Sequence, residues 1–329
     1  MNNTDSVQRR KLEKLVLSII VAVYNEEDSI SSFLQRTESL RTRFSKKVDI
    51  EYIFVSDGST DETVDLLLRC QAINPSIHVI ELSRNFGKEA AITAGLHFSS
   101  GNVVVPIDVD GQDPPELIIE MLNKWLDGYD VVLAKRIDRG SDSFAKRFTA
   151  KLYYKIHNLV SEIPIPEDVG DFRLMDIKVV EALRDLSEHN RFMKGLFSWV
   201  GFRTISVDYV REPRRNGESK FHGWKLWNFA LNGITSFGYA PLKVWMYIGV
   251  LISFGSFIFA IMILIRVLAT GVDVPGYASV IVALTFLGGL QLMGIGLIGE
   301  YLGRTYIESK RRPPYVIRRT YRAGDRPWI

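Results

Sequence analysis

The chain has 329 residues, 47% of them hydrophobic, a formal net charge of +3 and one cysteine, Cys70. A lone cysteine excludes an intramolecular disulfide framework, and an N-terminus that is polar and charged as far as Lys14 is expected to carry no secretory signal. No nucleic-acid partner is expected. Residues 1–240 mix charge and apolar segments as an α/β protein does, whereas Val244–Ile265 and Val274–Ile298 contain almost no charged side chain. Each is long enough to cross a hydrocarbon core of ~30 Å, so two membrane spans are expected.

In chain order, Leu15–Val23 is a continuous apolar run of strand length, the pattern of a parallel strand covered on both faces. Tyr24-Asn-Glu-Glu-Asp-Ser29 ends it, and a helix carrying Ile30, Phe33 and Leu34 follows. Ile50–Ser56 reads as a second strand running into Asp57-Gly-Ser-Thr-Asp-Glu62, where Thr60 or Asp61 is placed to cap a helix bearing Val64, Leu67 and Leu68. Val79–Leu82 is a third strand, followed by the polar loop Ser83–Glu89 and an alanine-rich helix to about His97. Strands alternating with helices predict a doubly wound parallel sheet, with the loops after each strand gathered at one edge.

Val103-Val-Val-Pro-Ile-Asp-Val-Asp-Gly-Gln-Asp-Pro-Pro-Glu116 begins as a short buried strand and then presents Asp108, Asp110 and Gln112 at its end. Two carboxylates sent from nearly one point of the backbone, with a neutral amide oxygen nearby, form a hard-oxygen cluster suited to a divalent cation and a diphosphate. A solvated turn is the competing reading of two aspartates there. Pro114, Pro115 and Glu116 start the next helix.

Val131–Ala134 is a further strand. Phe144–Leu159 has helical periodicity with Lys146, Arg147, Lys151 and Lys155 on other faces, as either a surface helix on the core or a basic amphipathic helix on a membrane. Gly170–Met175, containing Asp171 and Arg173, is expected near the floor of the site, and Arg203–Arg211 as a strand leading to Pro213-Arg-Arg-Asn-Gly-Glu-Ser-Lys220. That basic loop, immediately before a membrane segment, is placed to hold phosphate at the bilayer surface. Trp224, Trp227, Leu231 and Ile234 then form the stripe of an interfacial helix.

The loop between the spans, Thr270–Gly276, has no Lys or Arg, whereas Arg304, Lys310, Arg311, Arg312, Arg318 and Arg319 follow the second span. The positive-inside rule puts both termini and residues 1–240 in the cytoplasm. Gly288, Gly289, Gly294, Gly296, Gly299 and Gly303 suit close helix approach, either between the spans or in a homo-oligomer. The expected organisation is an N-terminal tail (1–14), a catalytic domain (15–220), an interfacial helix region (221–240), two transmembrane helices (241–303) and a basic cytoplasmic tail (304–329).

Segments 21–27, 57–62, 83–95, 108–116, 170–175 and 214–220, taken as an ordered set, resemble the polyprenyl-phosphate glycosyltransferases of glycosyltransferase family 2, relatives of dolichol-phosphate mannose synthase and the bactoprenol glucosyltransferases. Ala22 stands where the family's first motif commonly has proline, and Lys88 where several relatives carry histidine. The resemblance implies a GT-A type, Rossmann-like fold and inverting transfer of a sugar from a nucleotide-sugar donor, UDP-glucose first, to a membrane polyprenyl phosphate. Aminoarabinose, N-acetylglucosamine and mannose are the alternative sugars. It implies that Tyr24, Glu26, Asp57, Arg84 and Lys88 bind the donor, and that Asp108, Asp110 and Gln112 hold Mg2+ or Mn2+. Asp108, Asp110, Asp171 and Arg173 would be catalytic, and Arg214, Arg215, Ser219 and Lys220 would bind the acceptor phosphate. A processive polysaccharide synthase would need more spans and a Gln-x-x-Arg-Trp motif. A non-enzymatic membrane scaffold would leave the polar strand-end loops unexplained.

Overall fold

The N-terminal apolar run forms strand β1 (Leu15–Val23) at the middle of an eight-stranded sheet. The computed structural model describes residues 14–44, 48–137, 166, 168–188, 191–210, 240–270 and 276–322. After β1 come α1 (Glu27–Phe44), β2 (Val48–Ser56), α2 (Thr63–Ile73), β3 (Ile77–Leu82), α3 (Lys88–Phe98), β4 (Val103–Pro106), α4 (Leu117–Leu126) and β5 (Val131–Arg136). The chain continues through β6 (Val169–Asp176), α5 (Ile177–Asp185), α6 (Met193–Trp199) and β7 (Thr204–Tyr209) to the long helices α7 (Ala240–Thr270) and α8 (Tyr277–Ser309), and then to β8 (Ile317–Tyr321).

The continuous apolar character of β1 has a simple cause. Its alternate residues Leu17, Ile19 and Val21 pack with Phe33, Leu67, Ile118 and Trp125 on one face, while Ile20 joins Ala91, Ala94, Val180 and Leu183 on the other. Burial of each such aliphatic side chain stabilises the fold by roughly 1.5–3 kcal/mol. The small residues of α3 seat that helix directly on the sheet, and a Cβ added to Gly95 would collide with Ile20.

The sheet order is β7-β5-β6-β4-β1-β2-β3-β8. Strands β4, β1, β2 and β3 are parallel neighbours, as are β5 and β7, but β6 runs antiparallel between β4 and β5, and β8 antiparallel to β3. The expected all-parallel sheet is therefore corrected to a mixed one. Apolar patterning identifies a strand without giving its direction, and the segment around Asp171 and Arg173 turns out to be β6 itself.

Local signals shifted slightly. Helix α2 starts at Thr63 with no side-chain bond from its N-cap Glu62, although Asp61 accepts from Thr63 N at 3.1 Å. Pro114 and Pro115 precede α4, accepting from Leu117 N and Ile118 N. The segment expected as a wholly basic tail contributes β8 to the sheet edge.

Helices α7 and α8 have 31 and 33 residues, or roughly 45–50 Å at 1.5 Å per residue. They expose apolar side chains including Leu251, Phe254, Phe259, Ile265, Phe286, Leu292 and Ile298. Among the described residues, Phe286–Ser309 is long and apolar enough to cross a membrane. A Cβ on Gly294 would collide with the Trp245 ring, so this glycine serves contact between α7 and α8 within one chain. The expected helices at 144–159 and 224–234 lie outside the described residues.

Candidate active site

The parallel strands β1, β2, β3 and β4 all end on one edge, and their loops are joined to each other. Asn25, at φ 53°, accepts from Thr60 N at 2.8 Å, while its own amide donates to Ser59 Oγ at 3.2 Å. Glu26 N donates to Thr63 Oγ1 at 3.0 Å and its carboxylate accepts from Ser29 Oγ at 2.9 Å. Tyr24 is exposed at the same loop.

Asp57 links the second loop to the third. Its two oxygens accept from Phe86 N at 2.7 Å and Gly87 N at 2.9 Å. Burial raises its pKa above the ordinary carboxylate value, opposed by those two amides and by Arg84. The adjoining Gly58 has φ 69°, and a Cβ there would strike the Arg84 backbone, so glycine is what lets these loops close together. Asp57, expected as a donor-binding group, also uses both oxygens to shape the loop. Arg84 itself lies over the Phe86 ring at 4.0 Å.

Lys88, at the start of α3, reaches across the edge. Its Nζ is 2.7 Å from Asp108 Oδ1 and 2.8 Å from Asp171 Oδ2, joining the loop after β4 to strand β6. Burial alone would raise the Asp171 pKa, but Lys88, with Lys194 and Arg173, brings it down to about 2. The same two carboxylates overcome burial at Lys88 and raise its pKa. Next to it, Glu89 is pushed up to about 8 by burial and by the charge of Asp171, despite the opposing charge of Lys88 and a bond from Met193 N at 3.2 Å. Arg173 is buried, donates to Gly170 O at 2.7 Å and stacks over Phe197 at 3.9 Å, and its desolvation lowers its pKa to about 10.

A second polar chain supports the acidic loop from β5 and β7. Arg136 Nε donates to Tyr209 Oη at 3.1 Å, and Tyr209 Oη donates to the buried Asp113 at 2.5 Å. From α1, Arg36 donates to Gly111 O at 3.0 Å and to Glu116 at 3.3 Å. Asp110 Oδ1 accepts from Gln112 N at 3.1 Å, closing a tight turn in which Gly111 has φ 72°.

Among the described residues no three His, Cys, Asp or Glu side chains gather into a metal-holding group. Asp108 and Asp110 offer two carboxylates, and Gln112 an amide oxygen. That donor set fits Mg2+ or Mn2+ in the mode where one or two carboxylates share the ion with substrate phosphates and water. Of the expected site residues, Lys88, Asp108, Asp171 and Arg173 come together around one charge cluster, and Tyr24, Glu26 and Asp57 sit in the adjoining loops. Arg214, Arg215, Ser219 and Lys220 lie outside the described residues. Glu89, Lys194, Arg136, Tyr209 and Asp113 were missed. Their charge or polarity beside apolar neighbours was the available signal.

These features define a Rossmann-like α/β enzyme whose site lies at the carboxyl ends of its parallel strands. The chain belongs to glycosyl transferase family 2, whose sequence profile matches residues 18–184, and it is a glycosyltransferase of GT-A type fold. It is 51% identical over 301 residues to a glycosyltransferase of Synechocystis sp., covering 92% of this chain and 94% of that protein. It is also 48% identical over 308 residues to the bactoprenol glucosyl transferase of Shigella phage SfII, covering 94% and 99%. A prophage bactoprenol glucosyl transferase homolog of Escherichia coli K12 is 46% identical over 303 residues, covering 92% and 98%.

Proposed function

We propose that this enzyme transfers glucose from UDP-glucose to a polyprenyl monophosphate in the membrane, giving a polyprenyl-phosphate-linked sugar. The observation that carries this reading is the near full-length similarity to proteins named bactoprenol glucosyl transferase. An acceptor phosphate oxygen attacks the anomeric carbon while the bond from that carbon to the diphosphate breaks, and UDP leaves with the electron pair. In-line displacement inverts the centre.

The charge cluster suits this acceptor. A phosphate monoester with a second pKa near 6 is largely dianionic at pH 7 and needs no strong base. Asp171, held below the usual carboxylate range by Lys88, is a poor proton acceptor. Lys88 keeps Asp108 and Asp171 at a fixed spacing and offsets their charge as the dianionic acceptor and the diphosphate approach. The backbone of Phe86–Gly87, pinned by Asp57, orients the donor loop.

Asp108 and Asp110, with the Gln112 amide oxygen, would hold Mg2+ or Mn2+. When bound, the ion stabilises the negative charge that develops on the departing diphosphate. Arg214, Arg215, Ser219 and Lys220 would receive the acceptor phosphate, the prenyl tail remaining in the bilayer. The helices at 240–270 and 277–309 would be the two spans, with residues 1–240 and the C-terminus on the cytoplasmic side. The test is a panel of UDP-glucose, UDP-aminoarabinose, UDP-N-acetylglucosamine and GDP-mannose on purified protein with a polyprenyl phosphate. Glucose transfer well above the others is expected, and preference for another donor would overturn the sugar assignment.

A further inference from the structure

Residues 315–318, just beyond α8, grip both ends of the segment that carries Lys88. At one end, Ser83 N donates to Val316 O at 2.8 Å, where Leu82 pairs with Ile317. At the other, the Tyr315 hydroxyl lies 2.7 Å from His97 Nδ1 in the last turn of α3. Arg318 is 2.9 Å from Glu81, whose side chain is only 12% exposed. Strand β8 is fixed in turn at its far end by Gln71, whose Nε2 donates at 2.8 Å to both Tyr321 O and Ile77 O. Between the end of α8 at Ser309 and Tyr315 lie five residues, a leash of at most about 20 Å at ~3.5 Å per residue.

We propose that β8 is a positioning element for the reaction: it holds the donor loop Ser83–Lys88 and α3 in their working geometry and couples them to the end of α8. The inference rests on the reading that this loop binds the nucleotide-sugar. A loop ordered only from the β3 side would leave Ser83 N without its acceptor and the C-terminal turn of α3 without its clip. The entropy of ordering it would then fall on donor binding. Donor affinity is therefore the quantity that β8 sets most directly.

The experiment compares the wild-type full chain with the double variant Gln71→Ala, Tyr315→Phe and with a chain ending at Pro314, all purified with lipid. The nucleotide dissociation constant and the KM for each substrate are measured alongside thermal melting. Loss of these three hydrogen bonds, two of which hold β8 and Tyr315 in place, predicts a donor KM about threefold higher in the double variant. Loss of the whole strand predicts about tenfold. Acceptor KM should move less than donor KM in both. A lower kcat with unchanged donor KM in the double variant would mean that β8 only keeps molecules folded, and would overturn the proposal. Should the shortened chain fail to fold, the double variant alone decides. Absence of nucleotide binding by the wild type would instead overturn the donor assignment of the loop, leaving a result distinct from failure of the coupling.

Discussion

Lys88 and Asp108 form an ion pair, Nζ to Oδ1 2.7 Å, that ties the first turn of α3 to the acidic loop after β4, and the same ammonium holds Asp171 of β6 at 2.8 Å. One cation thus unites three elements that are remote in sequence. Removing it takes away the cation that the two carboxylates share, leaving Lys194 and Arg173 to offset Asp171.

Lys88→Met should therefore impair transfer far more than folding. A fully buried pair broken on one side costs about 3–5 kcal/mol. The Lys88 side chain is 44% exposed, so solvent screening reduces the stability loss to about 1 kcal/mol. Thermal melting and steady-state transfer rates on the same preparation check this. A large fall in melting temperature with unimpaired turnover of the folded fraction would contradict it.

Asp110→Asn is expected to remove most turnover while leaving the melting temperature near wild type, because a carboxylate at a strand end contributes little to the core. Chelator should have the same effect on the wild type, reversed by Mg2+ or Mn2+. Full activity in chelator would remove the metal from the mechanism.

Glu89 predicts a pH signature. Its folded-state pKa of about 8 lies above the ordinary 4.5, so the folded protein holds this proton more tightly than the unfolded chain. The associated stability is complete below about 4.5, falls as pH rises and is gone above 8. Asp171 has the opposite sign, but its loss occurs as pH falls towards 2, outside this window. Melting temperatures of wild type and Glu89→Gln between pH 5 and 9 should diverge in favour of the variant up to about pH 8 and then run parallel. Parallel curves throughout would show that Glu89 titrates normally.

Much of the catalytic domain was legible in sequence because its strands are buried on both faces. The run Leu15–Val23 and the polar loops that follow β1, β2, β3 and β4 announce themselves. The direction of β6 was not legible, since strand pairing depends on partners distant in sequence. Strand β8 was hidden by Arg318 and Arg319, which are tolerated because it is a solvent-facing edge. Lys88 and Glu89 resemble ordinary charges at the start of a helix. Only the packing of β6 and α6 against α3 makes them part of a site. Asp57 reads in sequence as a donor-binding group, and the fold adds a loop-shaping role that sequence did not show, its oxygens accepting from Phe86 N and Gly87 N.

Arg215→Lys retains charge but loses the planar fork of donors that binds phosphate in two places at once. Acceptor KM should rise by about tenfold or more, the equivalent of ~1.4 kcal/mol. Nucleotide binding and membrane insertion should be unchanged. Retained acceptor affinity would reduce the 214–220 loop to general attraction for an anionic membrane surface.

In the proposed reaction the attacking group is a lipid phosphate. The most direct test offers the purified enzyme labelled UDP-glucose with a polyprenyl phosphate, with the corresponding polyprenol, or with soluble sugar acceptors, and follows the label into each product. Transfer to the polyprenyl phosphate alone, yielding a β-linked sugar phosphate, is the predicted result. Comparable transfer to the polyprenol or to a sugar hydroxyl would contradict the account, because it would mean that the attacking oxygen can be one that must lose a proton, which a phosphate dianion need not do.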